Sequence, residues 1–158
     1  MLSQKTIAIA KATAPVFRKH GESLTRHFYK RMFFYNPEDP PFYNPQVTGL
    51  LQKTLAGAIR VYARHVNRLD SMHGAVELNA HKHVYLKVKP KHYPIVGENL
   101  LYSIKAVLGD TATNEVIDAW AETYGFLVNN LISSETQIIE YQEFKPGCQI
   151  VFTHAARN

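Results

Sequence analysis

Four prolines fall within NPEDPPFYNP (36–45), and no long helix can cross that stretch. Inside a helix, proline removes a backbone hydrogen bond and its ring clashes with the turn before it. The residue ahead of each proline is also pushed toward extended backbone. On both sides of this corner, apolar residues recur at helical intervals, and strand signals are scarce. There is no Asn-Gly hairpin and little sustained alternation outside the tail. The pattern points to an all-α chain with one proline-rich corner.

The helical segments follow from spacing. Ser3 is a suitable N-cap for a helix to about Lys19, with Ile7, Ala10, Ala14 and Phe17 on one side. Gly21 is expected to separate it from a second helix, in which Leu24, Phe28 and Met32 form one stripe and Tyr29 and Phe33 the next. A third helix is expected over 46–68, carrying Leu51, Leu55, Ile59, Tyr62 and Val66. After the turn at 70–74 a shorter helix runs to about Tyr85. Pro90 is placed in the first turn of the next, which carries Ile95, Val96, Leu100, Ile104 and Val107. Gly109-Asp110-Thr111 is a stop and restart. The longest helix, expected over 112–141, holds Val116, Trp120, Leu127 and Leu131 on its inner side, and the tail contains a strand-like QIVF (149–152).

With 158 residues the chain is long enough for one domain with its own core. Its 46% hydrophobic and 20% charged residues are those of a soluble globular protein. No apolar run approaches the roughly 20 residues of a membrane span. The lysine-broken start, with Lys5, Lys11 and Lys19, does not read as a secretory signal. One cysteine, Cys148, permits no internal disulfide and suits a reducing compartment, so a cytoplasmic location is expected. The net charge of +5 gathers partly at Lys82, Lys87, Lys89 and Lys91. No zinc-finger spacing or RNP-like motif accompanies these lysines, so a solvated face is preferred to nucleic-acid binding.

Among those lysines stand His81, His83 and His92. On a helix, side chains three or four apart are neighbours, so His81 and His83 cannot chelate one ion together. Neither histidine's face is distinctly apolar, and periodicity alone does not choose between them.

Three separated segments decide what it cannot. TRHFYKRMFFYNPE (25–38), AHKHVYLKVKPKHYPIVGENLL (80–101) and VIDAWAETYGFLVNNLISSE (116–135) together resemble the globin domain of bacterial flavohaemoglobins and related single-domain haemoglobins. The similarity covers about residues 1–140, leaving 141–158 as an extension of unassigned role. The resemblance implies an all-α globin fold packed around a b-type haem, with no covalent Cys-x-x-Cys-His attachment. It places the proximal iron ligand on His83, with His81 and His92 facing solvent. Tyr93, in KPKHY, and Glu135, in ISSE, match the pair behind that histidine. A carboxylate accepting the other imidazole N–H orients the ring and strengthens its donation to iron. Tyr29 matches the distal tyrosine, whose phenol can donate to bound dioxygen.

The lining is less regular. Tyr43 falls at the haem-stacking position with Phe42 beside it, and Leu55 and Val96 join the pocket. The distal position normally held by glutamine falls on Leu51, with Gln52 one step away, and both remain open. The resemblance implies reversible oxygen binding and, with an external reductase, nitric oxide dioxygenation to nitrate, because no flavin or nicotinamide module follows. The alternatives are a carrier or scavenger of oxygen or another small ligand, and a helical interaction protein that has lost the cofactor. A monomer or weak homodimer is expected.

Overall fold

A computed structural model describes residues 1–37 and 48–144, except for the side chains of 48–52 and 69–70. Among the described residues there are five α-helices: α1 (Gln4–Tyr35), α2 (Thr48–His65), α3 (His73–Tyr85), α4 (His92–Leu108) and α5 (Asn114–Phe144). Short 3-10 segments, Val66–Met72 and Gly109–Thr111, join α2 to α3 and α4 to α5. No described helix is long and apolar enough to cross a membrane.

Ser3 caps α1 as its sequence position suggests, its hydroxyl accepting the Thr6 N–H at 3.0 Å. Gly21 does not end the helix. α1 runs on without interruption through Pro15 and Gly21, and Ala10, Phe17, Leu24, Phe28 and Met32 are buried along one continuous stripe. Glycine costs a helix about 1 kcal/mol, less than the burial of a single Phe or Leu at roughly 1.5–3 kcal/mol. A Cβ at Gly21 would stand 3.7 Å from that of Ala56, so this small residue marks the crossing of α1 and α2.

Pro90 also departs from expectation. It lies two residues ahead of α4, where its carbonyl accepts the Tyr93 N–H at 3.2 Å. The last helix begins at Asn114, with the Thr113 hydroxyl accepting from Val116 N at 3.3 Å, and it extends to Phe144. The QIVF segment and Cys148 lie outside the described residues.

Among the described residues, three apolar clusters hold the helices together. In the largest, Phe17 of α1 meets Trp120 of α5 with ring centroids 4.3 Å apart, among Leu24, Ile59, Ile104 and Val116. The indole N–H finds its partner in the Thr13 hydroxyl at 2.9 Å. A second cluster, Val76, Ala80, Tyr93, Val128 and Leu131, seats α3 and the start of α4 on α5. In the third, Phe28, Tyr29 and Met32 of α1 face Leu55 of α2 and Val96 and Leu100 of α4. α4 therefore contributes to all three, and it links the two sides of the site.

Candidate functional site

His83 occupies the last turn of α3. That helix ends where Lys87 adopts a φ of 59°, and the His83 carbonyl then accepts the Val88 N–H at 2.9 Å. The chain reverses and starts α4 at His92, which is buried, contrary to its expected exposure. Its Nδ1 accepts the Lys89 N–H at 2.9 Å, closing the turn that spaces His83 from Tyr93. His81 is half-buried beside a cleft between α3 and α5.

The three proximal residues predicted from the resemblance come together from three helices. His83 Nδ1 lies 2.9 Å from Glu135 Oε1 and 2.8 Å from Tyr93 Oη. The Tyr93 hydroxyl itself donates to Glu135 Oε1. Burial, and then the adjacent Glu135, push the Tyr93 phenol well above its ordinary range, so it remains a donor. Facing a carboxylate oxygen, Nδ1 of His83 carries the proton. Nε2 of the neutral ring then bears the lone pair, the form in which imidazole ligates a metal. Glu135 is buried while the His83 side chain is 30% exposed, so the carboxylate is the fixed partner and the ring reaches outward from it.

Two residues escaped the sequence reading. The Tyr124 hydroxyl donates to the Tyr93 carbonyl at 2.7 Å, pinning the first turn of α4 to α5. A Cβ at Gly97 would lie only 2.6 Å from Tyr124 Cε1, so the Tyr124 ring occupies space that only glycine leaves open. A glycine in the middle of a helix was the available signal.

On the other side, Tyr29 is buried and meets Phe28 edge-on, centroids 5.0 Å apart at 76°, with Phe33 at 5.9 Å. Leu55 and Val96, both half-buried, pack against this group. Val96 stands one helical turn past Tyr93, so α4 presents Tyr93 to Glu135 and Val96 to the Tyr29 group three residues apart. Phe42 and Tyr43 lie outside the described residues, as do the side chains of Leu51 and Gln52. Lys82, Lys87 and Lys89 are exposed around the α3–α4 turn.

The profile of the globin family matches residues 23–131, which span α1 from Ser23 onward to the inner part of α5. The chain belongs to the globin family. A flavohemoprotein of Rhodopirellula baltica is 49% identical over 149 residues, 93% of this chain and 36% of that protein. The globin thus spans about a third of the curated relative it matches. A bacterial globin from Campylobacter jejuni superimposes with a TM-score of 0.79 at 37% identity, covering 87% of this chain and 99% of that one. An engineered carbene transferase, made from a suggested nitric oxide dioxygenase of Rhodothermus marinus, reaches a TM-score of 0.85 at 29% identity. It covers 90% of this chain and 99% of its own.

The donor set suits a haem iron. It offers an imidazole oriented through Nδ1 by a buried carboxylate, and an apolar group around Tyr29 reached by the same helix that carries Tyr93.

Proposed function

We propose that this globin holds b-type haem through His83 Nε2, binds dioxygen reversibly and, given an external electron donor, converts nitric oxide and dioxygen to nitrate. One electron from a reductase balances the reaction of one nitric oxide and one dioxygen to one nitrate anion. The bound haem would supply the iron that takes the diatomic ligand and the one-electron redox chemistry. The single observation carrying the reading is the three-way contact of His83, Tyr93 and Glu135. A globin that only stores a ligand has no need of a carboxylate on its proximal imidazole. Here Glu135 accepts the ring proton, fixes the tautomer and makes Nε2 a stronger electron donor. Tyr93 holds Glu135 in place by its own hydrogen bond.

On the opposite side, Tyr29 acts as a donor to a ligand that gains negative charge. A hydrogen bond of that kind contributes about 1.5–3 kcal/mol, which slows ligand loss roughly 10- to 150-fold. Leu55 and Val96 keep water from competing for the phenol. The flavohemoprotein relative supports the haem by its name, and the Rhodothermus globin, described as a suggested nitric oxide dioxygenase, supports the activity. Lys82, Lys87, Lys89 and Lys91, around the turn after His83, offer a positive face to an acidic reductase.

Anaerobic reduction followed by air, nitric oxide and a flavin reductase tests the reading. Nitric oxide consumption should continue with nitrate as product until reductant is exhausted. A single stoichiometric reaction, with no turnover while the reductase still reduces the protein, would make it a carrier.

A further inference from the structure

Rings and charges gather on the outer side of the seam between α1 and α4. The Arg31 guanidinium lies 3.7 Å from the centroid of the Tyr102 ring and 4.4 Å from that of Tyr35. Phe34 meets Tyr35 edge-on, centroids 5.0 Å apart. These three rings form one connected patch through Arg31, yet Phe34, Tyr35 and Tyr102 are 76%, 61% and 52% exposed. The patch is held from behind. His27 stacks on Tyr102 with centroids 6.1 Å apart at 14°. The Ser103 hydroxyl donates to the Asn99 carbonyl at 2.7 Å, so its oxygen accepts from His27 Nδ1 at 2.9 Å. Arg31 is incompletely partnered by contrast. Its Nε is buried without a hydrogen-bond partner among the described residues. Its Nη2 stands 4.0 Å from Glu98, beyond hydrogen-bond reach, and that carboxylate is itself 78% exposed.

We propose that a second copy of this chain docks on the α1–α4 face, through a two-fold contact that sets Arg31 against Glu98 of the partner subunit. In a two-fold contact one patch must serve both sides, so it has to be complementary to itself. This patch is, because an under-paired cation and an exposed anion stand side by side on it. Rotation about the axis brings Glu98 of the partner subunit to Arg31, and Glu98 to the partner subunit's Arg31, while ring meets ring around them. A purely acidic partner fits less well, since Glu98 would then face like charge. Tyrosine and arginine are the side chains that dominate binding where an interface excludes water. Stacking already fixes them here, so little side-chain freedom is lost on association. The contact needs no haem, and its failure would leave the haem reading untouched.

Sedimentation equilibrium of the full chain tests this face. The 18.0 kDa chain should double its mass reversibly, with half association at or below about 100 μM. Glu98→Arg sets like charges together twice, and Phe34→Asp puts a charge among the rings. Each should weaken association at least about tenfold. Both side chains are exposed, so thermal unfolding of the variants should match the native chain, which separates a lost contact from a lost fold. Ring NMR signals of Phe34, Tyr35 and Tyr102 in the unsubstituted protein should move over the same concentration range. A chain that stays monomeric to about 1 mM overturns the two-fold contact and leaves the patch to a different protein or to solvent. A dimer that either substitution fails to weaken, or that forms while those ring signals stay fixed, lies on another face and overturns it as well.

Discussion

At the scale of single residues, chemistry concentrates on one carboxylate oxygen. Glu135 Oε1 accepts from both His83 and Tyr93, and each of those groups also touches the other. Replacing the anion by an amide removes the charge but keeps the shape. Glu135→Gln should lower the iron–histidine stretching frequency in the resonance Raman spectrum of the ferrous protein, because donation from the ring weakens. An unchanged frequency would take Glu135 out of the proximal network. Tyr124 and Gly97 act one step further back. Gly97→Ala would place a methyl group 2.6 Å from the Tyr124 ring, so that ring must move and release the Tyr93 carbonyl. A cost of about 1–3 kcal/mol is expected from denaturant unfolding, with a matching disturbance of the Glu135–His83 contact. Wild-type stability in this variant would show that the ring relocates freely.

None of these three helices reveals the others in sequence. His83, Tyr93 and Glu135 lie on α3, α4 and α5, and no periodicity within one helix states which ring meets which carboxylate. Matching to a family pattern named them, whereas spacing did not separate His83 from His81. His92 was misplaced for a related reason. Its neighbours Lys89 and Lys91 are exposed, and nothing local signals that its ring folds back to accept the Lys89 N–H.

At the scale of elements, boundaries set by side-chain caps were legible and those set by packing were not. Ser3 caps α1 through an interaction contained within four residues. Gly21 reads as a break because its local cost is visible, while the buried stripe that overrides it depends on α2. The end of α3 carries a testable flaw. Lys87 holds a left-handed conformation, φ 59°, which favours glycine. Lys87→Gly should stabilise the fold by about 0.5–1 kcal/mol and raise Tm by roughly 2 °C. A loss of stability in its place would mean the lysine side chain contributes more than its backbone strain.

The start of α1 is fastened to α5 by Glu122, which accepts from the Thr6 hydroxyl and from Ser3 N at 3.2 Å. The Thr6 hydroxyl first, and then the Ser3 amide, hold the Glu122 carboxyl below its ordinary value of 4.5. A depressed folded value stabilises the fold fully above the unfolded value, and that contribution is lost as pH falls through the folded one. Acidification below 4.5 should therefore loosen this tie, seen as faster amide exchange at Ser3 in step with the carbon NMR titration of Glu122. Glu122 titrating at or above its ordinary value would contradict it.

At the scale of the whole molecule, α4 makes the site possible. Its first turn carries Tyr93 against Glu135, and Val96 one turn later stands in the Tyr29 group. The all-α architecture and the globin family assignment agree with the sequence reading, while Phe42, Tyr43, Leu51 and Gln52 stay as expectations for the pocket's remaining wall. The central claim is that His83 holds haem iron, and an absorption spectrum of the purified protein tests it most directly, reduced and then exposed to oxygen, beside His83→Ala. The account predicts a haem spectrum with a stable oxygenated form in the native protein and little retained haem in the variant. A colourless native protein after reconstitution, or equal haem retention without His83, would contradict it.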